Sequence, residues 1–205
     1  MKKVLRRKMN RIFCIGLVGL FTTTGCQNNV KTQKNTESYQ SPVMLNLFSI
    51  KTSNDFTIKI PETDTYCKMT QIISNDTIHL VKGDYKEGEV RGEVYIDYTK
   101  IVALNQTSGN ESLMTIPFSI SNQGSGIFTY VGLFNLNNKS GQIKHLDSKF
   151  LGDRINLESI EYDGNHLVQV KMKVHSKEQS MSQTPTEIKE MDFYIDGDKL
   201  KYDIN

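Results

Sequence analysis

From residue 43 onward, apolar residues come in short runs separated by Gly, Asn and Asp clusters, and none of the runs sustains a long helical period. This pattern constrains the fold more than any other feature. Without a sustained stripe at 3.6-residue spacing there is no helix face to bury, whereas short runs rich in Ile, Val, Tyr, Phe and Thr are what strands are made of. Strand candidates are residues 44–50, 56–60, 77–82, 90–96, 101–104, 113–119, 127–134, 143–151, 155–162, 167–175, 187–195 and 200–204. Turn clusters lie between them at 121–126, 136–141, Asp163-Gly164-Asn165 and Asp196-Gly197-Asp198. The Asp-Gly pairs are cues for a type I′ hairpin, which needs positive φ at both central residues. The second half of 167–174 alternates strictly, so that it shows one buried and one wet face. The sequence therefore predicts a mainly β fold, or α+β with few short helices. Its hairpins would form an antiparallel meander in a single domain, with room for a short helix within 139–149.

The N-terminus has a different character. Lys2, Lys3, Arg6, Arg7, Lys8 and Arg11 make a basic start, residues 12–21 a short apolar core, and residues 22–25 a run of small residues ending at Cys26. That order is the layout of an export signal. The apolar stretch is shorter than the roughly 20 residues an α-helix needs to span a bilayer. Thr23-Thr24-Gly25-Cys26 resembles the lipobox of bacterial lipoproteins, in which the Cys thiol is lipidated and the chain is cut just before it. Thr23 stands where the pattern has an aliphatic residue, and an ordinary secretory signal cut nearby is the other reading. The resemblance implies residues 1–25 as signal, 26–42 as the lipidated Cys26 and a tether, and 43–205 as the globular domain. Gln27 in place of Asp after the cysteine implies the outer membrane in a Gram-negative cell, with the domain in the periplasm or at the cell surface. The tether is polar and has no apolar periodicity; as a flexible coil it spans on the order of 20–25 Å.

Cleavage before Cys26 changes the charge. Six of the 25 Lys and Arg precede it and none of the 23 Asp and Glu do, leaving 19 − 23 = −4 for the remainder. A mildly acidic chain has no field to attract nucleic acid. Of three cysteines, Cys14 leaves with the signal and Cys26 takes the lipid, so Cys67 has no intrachain partner and is expected to be a small buried residue.

The segments 124–135 (GSGIFTYVGLFN) and 149–164 (KFLGDRINLESIEYDG), followed by Thr184-Pro185-Thr186, resemble a group of uncharacterised bacterial secreted proteins and lipoproteins with GSGTF-type and LGDR-type motifs. The resemblance covers roughly residues 77–202 and implies no assigned activity. Members often carry an acidic loop before the GSG segment and a cysteine before the Pro-Thr pair. Here the first is 104–112, whose only carboxylate is Glu111, and the second is 180–183, without a thiol. One carboxylate is too little for tight calcium binding.

Gly124, Ser125, Gly126, Leu151, Gly152, Asp153 and Arg154 are the most distinctive residues, and both segments fall at strand boundaries where Gly and Asp build turns. His79, His145, His166 and His175 show no metal-ligand spacing, so neither metal nor cofactor is expected. Two classes of function stay open. One is a non-enzymatic, lipid-anchored envelope domain that binds an envelope protein or cell-wall partner through a sheet face or loops. The other is an envelope hydrolase built on Asp153, Arg154 and either His145 or His175.

Overall fold

The structure, a computed structural model, describes residues 56–203. Twelve strands and one short 3₁₀ turn make up this part of the chain. They are β1 (Thr57–Lys59), β2 (Tyr66–Ser74), β3 (His79–Glu87), β4 (Val90–Asp97), the 3₁₀ turn Tyr98–Lys100, β5 (Val102–Ser108), β6 (Glu111–Asn122), β7 (Ile127–Asn137), β8 (Ile143–Asp153), β9 (Asn156–Tyr162), β10 (Leu167–Val174), β11 (Glu187–Asp196) and β12 (Lys199–Tyr202). All pairings are antiparallel. The mainly β meander read from the sequence is the observed fold. The candidate strand at 44–50 lies outside the described residues.

The first sheet runs in the order β1-β2-β3-β4-β6-β7-β8, with β5 paired to one half of β6. Strand β6 hands over from β5 to β4 between Thr115 and Phe118, and Pro117, which has no N–H to offer, sits in that gap. The sheet curls until β1 approaches β8. No ladder joins these two strands; the backbone N–H of Lys59 donates to His145 Nδ1 at 3.0 Å instead, so one side chain bridges the seam. Inside the curl, Ile58, Cys67, Val94, Ile96, Met114, Ile116, Phe118, Phe134 and Leu136 pack as one core.

The second sheet, β12-β11-β10-β9, covers the outer face of the first. Val168, Val170, Met172, Phe193 and Leu200 meet Leu104, Val131, Leu133 and Leu151 there. Strand β7 is consequently buried on both sides, which is why 127–134 reads as a nearly unbroken apolar run. Leu200 N–H to Asp147 Oδ2 at 2.9 Å and Lys100 Nζ to the Glu158 carbonyl at 2.8 Å tie the sheets at their edges.

Three local expectations are corrected. Residues 139–149 hold no helix: the Asn137 carboxamide takes the backbone N–H groups of Lys139 and Ser140 to make a turn, and β8 begins at Ile143. The β7–β8 register skips Leu146 and Leu151, and these bulged residues face the second core, which erases the period of two along β8. Neither Asp-Gly pair forms a type I′ turn. Asp163 Oδ1 accepts from the N–H groups of Asn165, His166 and Leu167 in a longer loop, and of Gly197 and Asp198 only the glycine has positive φ, the type II′ pattern.

Candidate functional site

The two distinctive segments of the sequence meet in space. Phe128 pairs with Asp153 and Thr129 with Gly152 where β7 starts and β8 ends. Asp153 Oδ1 accepts the Ile127 N–H at 2.9 Å, and the Arg154 N–H donates to the Ile127 carbonyl at 2.7 Å. The Arg154 guanidinium grips the same carboxylate through Nε at 3.2 Å and NH2 at 2.9 Å. Burial raises the Asp153 pKa, but the bonds from Arg154 and Ile127 outweigh it and hold the acid below its usual range. Arg154 adopts a φ of 49°, unusual for a residue with a side chain. Gly126 makes room for a ring: a Cβ there would lie 2.7 Å from the Phe128 Cζ. At Gly152 a Cβ would meet Ile155 at 2.6 Å. Gly124 donates its N–H to Asn122 Oδ1 at 3.0 Å, and Ser125 is exposed beside it. Leu151 is buried in the second core.

The histidines proposed to join this pair part company. His175 is close enough that its charge favours ionised Asp153; its Nε2 faces the Gln183 carbonyl at 2.8 Å, and its Nδ1 is buried without a partner. His145 sits at the far end of β8, eight residues from Asp153, roughly 25 Å at about 3.3 Å per residue. Glu111 accepts from Asn135 Nδ2 at 2.8 Å in the β5–β6 hairpin, whose two-residue turn at Gly109-Asn110 leaves no loop to wrap a cation. Among the described residues no group of three or more His, Cys, Asp or Glu is placed to hold a metal ion. Cys67 is buried, as expected; burial first and Asp84 second push its thiol up to about 12, far from a reactive thiolate. Cys26 lies outside the described residues.

A hollow lies elsewhere among the described residues, at a place the sequence reading did not single out. It measures about 570 Å³ and opens between the β3–β4 hairpin (Asp84, Tyr85, Lys86, Arg91, Gly92, Glu93) and the end of β6 (Ser121, Asn122, Gln123). Gly92 exists for Tyr85: the two face each other across the strands, and a Cβ on Gly92 would strike the ring at 2.5 Å. Glu93 is fixed by Lys82 Nζ at 2.5 Å and by the Tyr95 hydroxyl, which together hold its carboxyl below the usual range, while the Glu93 carboxylate, with burial, pushes Tyr95 upward. Burial, with a smaller contribution from Glu87, likewise raises Tyr85. These shifts move each group away from neutrality, so none of the three is poised to exchange protons there. The hollow offers hydrogen-bonding carboxylates, amides and cations. The only sequence signal for it is the near-symmetry of residues 84–93 about Gly88-Glu89, which pairs residues of like charge across the hairpin.

Among the described residues no helix is long and apolar enough to cross a membrane. No known family matches the sequence, nor does any curated protein or any solved structure.

Proposed function

We propose that this chain is a lipid-anchored envelope protein whose β domain binds a cell-envelope component without transforming it. The observation that supports binding most is the hollow beside the β3–β4 hairpin, lined by carboxylates, cations and amides, in which hydrogen bonds from Lys82 and Tyr95 hold the Glu93 carboxyl below its usual range. The anchor rests on the basic start, the short apolar core and Thr23-Thr24-Gly25-Cys26. Growing cells with an alkyne-bearing fatty acid should tag the wild-type protein and leave Cys26→Ala untagged; equal labelling would sink the anchor. For the domain, co-sedimentation with isolated cell-wall sacculi should remove the protein from solution and release no soluble fragments.

A hydrolase reading has one observation in its favour, the buried and unpartnered His175 Nδ1 near Asp153. Against it, both Asp153 oxygens are engaged by Ile127 and Arg154. Release of fragments from sacculi by the wild type, abolished in Asp153→Asn at an unchanged melting temperature, would reverse the preference.

A further inference from the structure

We propose that the hollow beside the β3–β4 hairpin takes an anionic, polyhydroxylated chain, with a carboxylate or phosphate group of that chain clamped between Lys86 and Arg91. This rests on the binding reading above and names its ligand class.

Three successive cross-strand pairs share one face of β3–β4: Lys82 with Tyr95, Asp84 with Glu93, and Lys86 with Arg91. The last two pairs set like charges directly opposite each other, an unfavourable arrangement in a sheet. For the acids the conflict is relieved within the protein, because Lys82 Nζ reaches Glu93 at 2.5 Å and Asp84 at 3.4 Å. For the cations it is not. Both are exposed, and among the described residues neither forms an ion pair, although Asp84 and Glu93 are neighbours on the same face. Opposed residues in a ladder have Cβ atoms roughly 5 Å apart, so the two cationic heads can close on one anion. Arg91 supplies a planar fork for two oxygens and Lys86 a point charge.

The rest of the lining says what the anion is attached to. The Ser121 hydroxyl, paired with Glu93 on the face of the clamp, and the Gln123 carboxamide both donate and accept, which suits hydroxyl groups. Asp84 and Glu93 beside the cations repel a densely charged polyanion such as nucleic acid, so the ligand carries isolated charges between hydroxyls.

The test is a backbone-amide NMR titration of the full chain, purified in a non-ionic detergent, with three probes: trigalacturonate, its fully methyl-esterified form, and a glycerol phosphate trimer. Shifts centred on Lys86, Arg91, Gly92 and Asn122 are expected with at least one of the two acids, with the ester at least tenfold weaker and Lys86→Gln/Arg91→Gln tenfold weaker or more for the acid that binds. Binding of one acid alone identifies carboxylate or phosphate as the anion, and binding of both shows that either serves. Lack of response to either acid, equal binding of the ester, or undiminished binding by the well-folded double variant overturns the proposal. If sacculi still retain the protein in that event, the binding reading stands and only this ligand assignment falls.

Discussion

Protonating His145 removes the acceptor on which the Lys59 N–H rests, and with it the one hydrogen bond described between β1 and β8. The ring lies flat on Phe134 at 4.5 Å and edge-on to Phe118 at 5.5 Å, while Nε2 donates to the Asp147 carbonyl at 3.0 Å. Burial lowers its pKa from 6.5 to about 4, against the opposing pull of Asp147 and with a small push from Lys59. The folded value lies below the unfolded one, so the unfolded chain takes up this proton first. Stability from the neutral ring is therefore complete above pH about 6.5, drains away as pH falls to about 4, and declines no further from this residue below that. At about 1.4 kcal/mol per pH unit the gap amounts to about 3 kcal/mol, a large part of a domain's net stability. Urea unfolding of the wild type and His145→Gln, which cannot titrate in this range, should be compared at pH steps from about 7.5 to about 4. The wild type's free energy relative to the variant should fall by about 3 kcal/mol across that window. Asp153 and the other carboxylates held low are common to both proteins and cancel. A pH-independent difference, or an NMR titration placing folded His145 near 6.5, refutes the reasoning.

Gly126→Ala should destabilise by about 1–3 kcal/mol, because its Cβ would intrude on the Phe128 ring, and a Phe128→Ala background should absorb most of that cost in a double-mutant cycle read by melting temperature. Cys67 should resist iodoacetamide in the folded protein at mildly alkaline pH and react once denaturant is added; modification of the native protein at the rate of a free thiol would contradict its burial. Thermal melts with and without EDTA should coincide, since Glu111 is spent on Asn135; a drop of several degrees on chelation would show a bound cation.

Most strands were legible because they carry β-branched and aromatic residues between strong turn signals, and Val168, Val170 and Met172 repeat every second residue on the buried face of β10. Strand β2 was missed for a physical reason: only Cys67 and Met69 are buried in it, and the remainder is exposed, so Tyr66–Ser74 offers no alternation to detect. The β7–β8 register was equally hidden, since a bulge leaves no mark in composition. The GSG and LGDR segments stood out individually, but that Asp153 holds the Ile127 N–H is a contact across 26 residues that periodicity cannot reveal. For the hollow, the near-symmetry of residues 84–93 was the one local pattern to read. Its lining looks like ordinary polar surface until the ladder sets Lys86 opposite Arg91.

Strand β7 gives Phe134 and Leu136 to the inner core and Val131 and Leu133 to the outer one. A strand serving two interiors makes them a single thermodynamic object, because loss of either sheet strips water-excluding cover from the same backbone. The four C-terminal strands are therefore not an appendage that recombination could trade away. Change accumulates most cheaply at the hairpin ends, including the one beside the hollow, where Gly88-Glu89 touches neither core; such a fold can alter what it recognises while the wall between its two interiors stays fixed.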